Sequence, residues 1–130
     1  MNNNTILFGS FPAITSGTIN GLVGSYTGGN NNITMEMNGN TISNQTIPPT
    51  TGTVTLLNNG VSSGTNRVSY TNNNTITNLT RANSGTTYCI SLGTANEVYA
   101  SGNTLNNITV TNNNAAVSTT LIGFYGNGSP

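Results

Sequence analysis

Apolar residues along this chain come in short alternating runs, not in long blocks. Val68 and Tyr70 flank Ser69, Val98 and Ala100 flank Tyr99, and Val54 and Leu56 flank Thr55. Tyr88, Ile90 and Leu92 alternate with Cys89 and Ser91. A period of two, with β-branched and aromatic residues between clusters of Gly and Asn, predicts strands. No segment carries a 3.6-residue period, and Ala, Glu, Lys, Gln and Arg are scarce, so essentially no helix is expected. Asn-Gly pairs at Asn20, Asn38, Asn59 and Asn127 mark turns.

The runs repeat in order. An anchor phrase recurs at Asn4-Thr5-Ile6, Asn40-Thr41-Ile42, Asn74-Thr75-Ile76 and Asn103-Thr104-Leu105, at spacings of 36, 34 and 29 residues. A second phrase follows each anchor: GTINGLVGS from Gly17, GTVTLLNNG from Gly52, GTTYCISLG from Gly85 and STTLIGFYG from Ser118. A third precedes three of the anchors: NNITMEM from Asn31, NRVSY from Asn66 and NEVYA from Asn96. The order is anchor, second, third, with the last third absent.

Three strands per repeat predict one all-β domain over residues 1–130, a right-handed parallel β-helix of about four coils. The expected coils are residues 1–37, 38–71, 72–100 and 101–130. Successive coils of such a solenoid stack about 4.8 Å apart, and like residues lie over like. Ile6, Ile42, Ile76 and Leu105 then form an internal aliphatic stack. Asn4, Asn40, Asn74 and Asn103 form a ladder at a corner, each amide bonding to the next. Asn and Gly tolerate the left-handed backbone angles that tight corners need. Two other arrangements compete. A β-sandwich of about eight to eleven short strands accounts for the strand count but not for the recurring words. A prion-like coil suits an uncharged Asn-rich chain but not the regular placing of its apolar residues.

The words NNNTITNLT, NEVYASGNTLNNIT and GTTYCISLG resemble the coils of right-handed parallel β-helix repeats of long secreted bacterial surface proteins. The resemblance covers essentially the whole chain and implies a fold more than an activity. Pectin-degrading enzymes of that class rely on Asp, Lys, Arg or bound calcium. This chain has no Asp or Lys, so their chemistry is not carried over.

Composition narrows the function further. Asn 26, Thr 24, Gly 16 and Ser 12 make up 78 of 130 residues, and Asp, Lys, His and Trp are absent. The only charged side chains are Glu36, Glu97, Arg67 and Arg81, which balance to a net charge of zero. Two arginines cannot neutralise a row of phosphates, so a nucleic-acid surface is excluded. Without His or Asp, and with one Cys, neither a usual metal site nor a cofactor is expected, and the chain is not expected to be an enzyme. Glu36 and Glu97 both fall in third phrases and read as solvated strand residues or partners for the arginines. As an acid pair they would need a separation of about 5–10 Å. Cys89 has no His to activate it and reads as a small buried residue.

Tyr70 and Tyr99 each stand five residues before an anchor Thr, and either fill the core or form an outward strip for stacking a carbohydrate. Thr-x-Thr pairs at Thr53, Thr75 and Thr109 would suit an ice-binding surface, but they fall in different phrases and would not share a face. Sequons occur at Asn3, Asn32, Asn44, Asn73, Asn78, Asn107 and Asn127, about the number chance gives in this composition. The chain shows no targeting segment and no stretch near the roughly 20 apolar residues of a membrane span. Only 3% of its residues are charged, which points to an extracellular or cell-surface protein.

A solenoid also has two open strand edges, and no capping helix or Lys gatekeeper is visible. Head-to-tail contact between such ends does not close, so it builds a filament. The chain starts on an anchor and stops after a second phrase, so Gly126 to Pro130 would hand over to Met1 to Asn4 of the next copy. The expected function is a structural fibre or stalk with the chain itself as partner. The alternative is a surface-displayed module that binds glycan or ice.

Overall fold

The computed structural model describes residues 1–8, 16–29, 32–47, 50–62, 64–82, 85–112 and 118–126. Asn127 to Pro130, and with them the last sequon and all but Gly126 of the expected C-terminal hand-over segment, lie outside the described residues. Ten strands run β1 (Ile19–Tyr26), β2 (Thr34–Glu36), β3 (Thr41–Ile47), β4 (Val54–Val61), β5 (Val68–Tyr70), β6 (Thr75–Ala82), β7 (Gly85–Leu92), β8 (Glu97–Tyr99), β9 (Thr104–Thr111) and β10 (Thr119–Gly126). No helix occurs among the described residues, so none there is long and apolar enough to cross a membrane.

Each strand pairs with the strand three places further along the chain, always in parallel. The first sheet is β1-β4-β7-β10, the second β2-β5-β8 and the third β3-β6-β9. The bridge Thr5↔Thr41 extends the third sheet into the first coil, and Asn2↔Asn38 pairs the corner before it. The architecture is a parallel β-helix of about four coils with three strands per coil.

The corners explain why the anchors contain so much Asn and Gly. Asn3, Gly39, Asn73 and Gly102 precede the four anchor asparagines, and all have positive φ, at 59°, 67°, 56° and 63°. Only Gly, Asn and Asp take this conformation readily. The row alternates for a steric reason. A Cβ on Gly39 would overlap Oδ1 of Asn3, and one on Gly102 would overlap Oδ1 of Asn73. Each asparagine side chain lies over the bare Cα of the glycine one coil on. A second corner row, Asn44, Asn78 and Asn107, has φ of 54°, 52° and 51°, and a third joins Asn32 to Asn66 at 61° and 55°.

Inside, residues stack by register. Ile42↔Ile76↔Leu105 is one row, and Leu22↔Leu57↔Ile90↔Phe124 is another. Ile6 follows the bridging Thr5 and packs on the same core. Burial grades along the axis. Ile42, Leu56, Leu57, Ile76, Leu79 and Ile90 are buried in the middle coils, while Ile6, Ile19, Leu22, Leu105 and Ile108 are only partly covered.

Three expectations need correction. Asn20-Gly21 and Asn59-Gly60 mark no turns but lie inside β1 and β4. The last second phrase does not start opposite Gly85 at Ser118; Thr119 pairs with Gly85 instead. The one-residue shift places Phe124 over Ile90, and the interior fixes register because a slip would turn every side chain to the other face. Tyr88 is also not on the face of Ile90. It packs against Tyr125, while Cys89 and Ile90 are both buried.

Because Ile76 is fully buried and Leu105 is half-exposed, truncating them should differ in cost. Ile76→Ala should lose roughly 2–5 kcal/mol of stability in urea unfolding, and Leu105→Ala distinctly less.

Candidate functional site

The most organised polar feature of the described residues is the line of anchor asparagines. Nδ2 of Asn4 donates to Oδ1 of Asn40, Asn40 to Asn74 and Asn74 to Asn103, each at 2.9 Å. The same oxygens accept the backbone N–H of the preceding asparagine at 2.9–3.0 Å. The second amide proton goes to a main-chain carbonyl: Asn40 to Met1, Asn74 to Met37 and Asn103 to Thr71. Asn40 and Asn74 are fully buried, and every polar atom of their amides is used.

This ladder has a direction. At the N-terminal end, Oδ1 of Asn4 accepts from no described residue. At the C-terminal end, Asn103 keeps one amide proton and its backbone N–H without a described acceptor. Outside, Asn78 donates to Asn44 at 3.0 Å and Asn107 to Asn78 at 2.9 Å, both exposed. Both this outer row and a third row run opposite to the anchors; the third goes from the N–H of Asn38, Asn72 and Ser101 to Oδ1 of Asn2, Asn38 and Asn72.

The two arginines close corners from inside. Arg81 is 1% exposed and donates to the carbonyls of Thr50, Gly52 and Thr86 and to Oγ1 of Thr87. Burial pulls its guanidinium below the ordinary pKa. Arg67 is 3% exposed, donates to Ser62 and to the Gly28 carbonyl, and lies 5.4 Å from the centre of the Tyr26 ring.

The carboxylates are exposed. Glu36 accepts from Nδ2 of Asn2, and Glu97 from the Tyr99 hydroxyl at 2.7 Å, a bond that raises the Tyr99 pKa. They stand on β2 and β8, the outer strands of the second sheet, about 10 Å apart across it and two residues out of register. Among the described residues, no group of three or more His, Cys, Asp or Glu could hold a metal ion.

Tyr70 and Tyr99 stack on each other, with ring centroids 5.1 Å apart at 13°. Their faces are therefore turned to one another and their edges outward, and the outer face of Tyr99, which is 47% exposed, is what remains for a flat ligand. A second pair, Tyr88 and Tyr125 at 4.7 Å, was hidden from sequence reading by the register slip. Of the Thr-x-Thr pairs, the one at Thr53 reaches β4, but those at Thr75 and Thr109 share the outer face of the third sheet at different registers, and other threonines line up with them. Thr41-Thr75-Thr104 and Thr46-Thr80-Thr109 form rows on the outside of the third sheet.

The sequons have a structural origin. All six described sequon asparagines have positive φ. A corner Asn is followed by a residue turned inward and then by an outward Thr that starts or resumes a strand. Asn78 and Asn107 already commit their amide nitrogens to the outer ladder.

The ends are where ordered groups meet solvent. Leu121, Phe124, Val98 and Tyr99 are exposed at the C-terminal end, and Met1, Leu7 and Val23 at the N-terminal end. An open hollow of about 360 Å³ enters the core beside Leu105, Ile108 and Leu121. Comparison with known proteins adds no relative: no family model, curated protein or solved structure matches the chain.

Asn74→Ala should cost roughly 2–4 kcal/mol in urea unfolding, since it strands buried partners on both sides, whereas Asn78→Gly, at an exposed left-handed corner, should cost under about 1 kcal/mol. Burial raises the Cys89 thiol from 9.0 to about 11. Above pH 9 the unfolded chain releases that proton first, so stability should fall between about pH 9 and 11. Cys89→Ala should lose less over that window in pH-dependent unfolding.

Proposed function

We propose that this chain is an extracellular structural solenoid whose coils stack head to tail into a fibre or stalk, and that its role is not catalytic. The observation that carries the reading is the directional polar row. Asn103 offers two donors at one end and Asn4 an acceptor at the other, so a second copy set on the C-terminal end continues the ladder. Ends of the same kind would meet donor to donor or acceptor to acceptor. The row from Asn2 to Ser101 agrees, presenting an N–H at one end and a hydroxyl at the other. Parallel strand edges and exposed apolar residues at both ends add hydrogen bonding and burial. Where a solenoid of this kind is longer, the same edges carry further coils. The resemblance to β-helix repeats of secreted surface proteins and the sparse charge support a place outside the cell.

A second reading, a surface-displayed binding module, draws on the threonine rows of the third sheet and the outer face of Tyr99. Its ligand would be ice or a carbohydrate.

Sedimentation and electron micrographs at micromolar concentration test the first reading. Rods that lengthen with concentration are expected, with little change as salt is raised, because few charges are involved. Phe124→Lys, at an exposed end position, should stop the lengthening. A folded chain that stays monomeric at the highest concentrations would overturn stacking, and thermal hysteresis or glycan binding by that monomer would favour the second reading.

A further inference from the structure

We propose that the C-terminal end carries a socket for Phe8 of a second copy of this chain, and that this fit sets the register of the end-to-end contact. The proposal rests on the stacking reading above and adds the side chain and the site that hold the copies together.

One interior layer changes from coil to coil. On the first sheet, Gly21, Leu56, Cys89 and Gly123 occupy equivalent positions between paired neighbours. In the first coil the glycine is covered from the opposite side. Phe8 follows Thr5, which bridges to the third sheet, and its ring crosses the interior until Cζ would lie 3.2 Å from a Cβ on Gly21. In the two middle coils, Leu56 and Cys89 fill the layer and are buried. In the last coil Gly123 contributes nothing, and the hollow beside it is lined by Asn107, the residue that counts as Phe8's equivalent from the paired threonines, and by Ile108. The result is the open hollow of about 360 Å³ between Leu105, Ile108, Leu121 and Gly123, with Cys89 beneath. A Cβ on Gly123 would meet only the Leu105 Cδ1, at 3.3 Å, so the space is open to a side chain.

The two ends of one layer are thus complementary: a ring over a glycine at one end, a void over a glycine at the other. A second copy that continues the ladder sets its Asn4 over Asn103 and its Ile6 over Leu105. Its Phe8 then lies over the hollow, with its own Gly21 behind the ring. The walls are uncharged and largely apolar, with Asn106 and Asn107 completing the lining beside Leu105, Ile108 and Leu121, so a ring finds aliphatic faces to pack on. A shift by one residue would aim Leu7 at the hollow and break the ladder at the same time.

Four chains test the socket: wild type, Phe8→Ala, Gly123→Phe and the double variant. Sedimentation gives the concentration at which each assembles, and circular dichroism with urea unfolding shows that each folds. Both single variants should need about tenfold more protein to assemble, or more, the scale of losing a central anchor. Gly123→Phe should also resist urea better than wild type, because it fills its own hollow. The double variant moves the ring to the other end of the contact and should assemble close to wild type. Thr80→Ala, on the exposed outer face of a middle-coil strand, should leave assembly unchanged. If wild type assembles and the single variants assemble equally well, the socket is wrong and stacking stands. If wild type never assembles, stacking fails and the socket falls with it.

Discussion

A chain wound in laps must turn several times per lap, and each turn aims backbone amides and carbonyls toward an apolar interior. The whole structure depends on how that demand is met. Here the buried carboxamides of Asn40 and Asn74 meet it, each bonding to the asparagine of the next coil, to a backbone N–H and to a carbonyl. The residue before each of them takes a left-handed backbone, which is why Asn and Gly hold all four places. Once these corners are fixed, the flanking strands have no freedom of register, and the rows of Ile and Leu follow.

The energetics are those of a stack. A coil gains its stability from the coils above and below it, so interior coils are well covered and terminal ones are not. The gradient from fully buried Ile76 to half-covered Leu105 and Ile6 shows this directly. The arginines serve a related need. The carbonyls of Gly28 and Ser62 meet at one corner and those of Thr50, Gly52 and Thr86 at another, and a guanidinium has enough donors to satisfy several at once.

Much of the architecture was legible because the repeat is literal. Three phrases correspond to three sheets, and the register aligns Ile42, Ile76 and Leu105 just as the phrases do. What escaped reading did so for physical reasons. The last second phrase, STTLIGFYG, offers two frames that differ by one residue, and only the volume under Phe124 chooses between them. Sequon counting concealed a real pattern, because chance and corner geometry predict similar numbers in an Asn- and Thr-rich chain. The burial of Arg67 and Arg81 depends on what lies one coil away. Local pattern carries no such information.

The placing of the arginines has an effect on what the protein can touch. Its formal charge is balanced, but the balance is divided: both guanidiniums are interior, and both carboxylates face solvent. Apart from the amino terminus, an approaching polyanion or acidic lipid finds no cationic side chain on the described surface, only amides, hydroxyls and two negative groups. Such a surface gives little electrostatic adhesion to charged cellular debris, and its contacts have to come from shape and neutral hydrogen bonding.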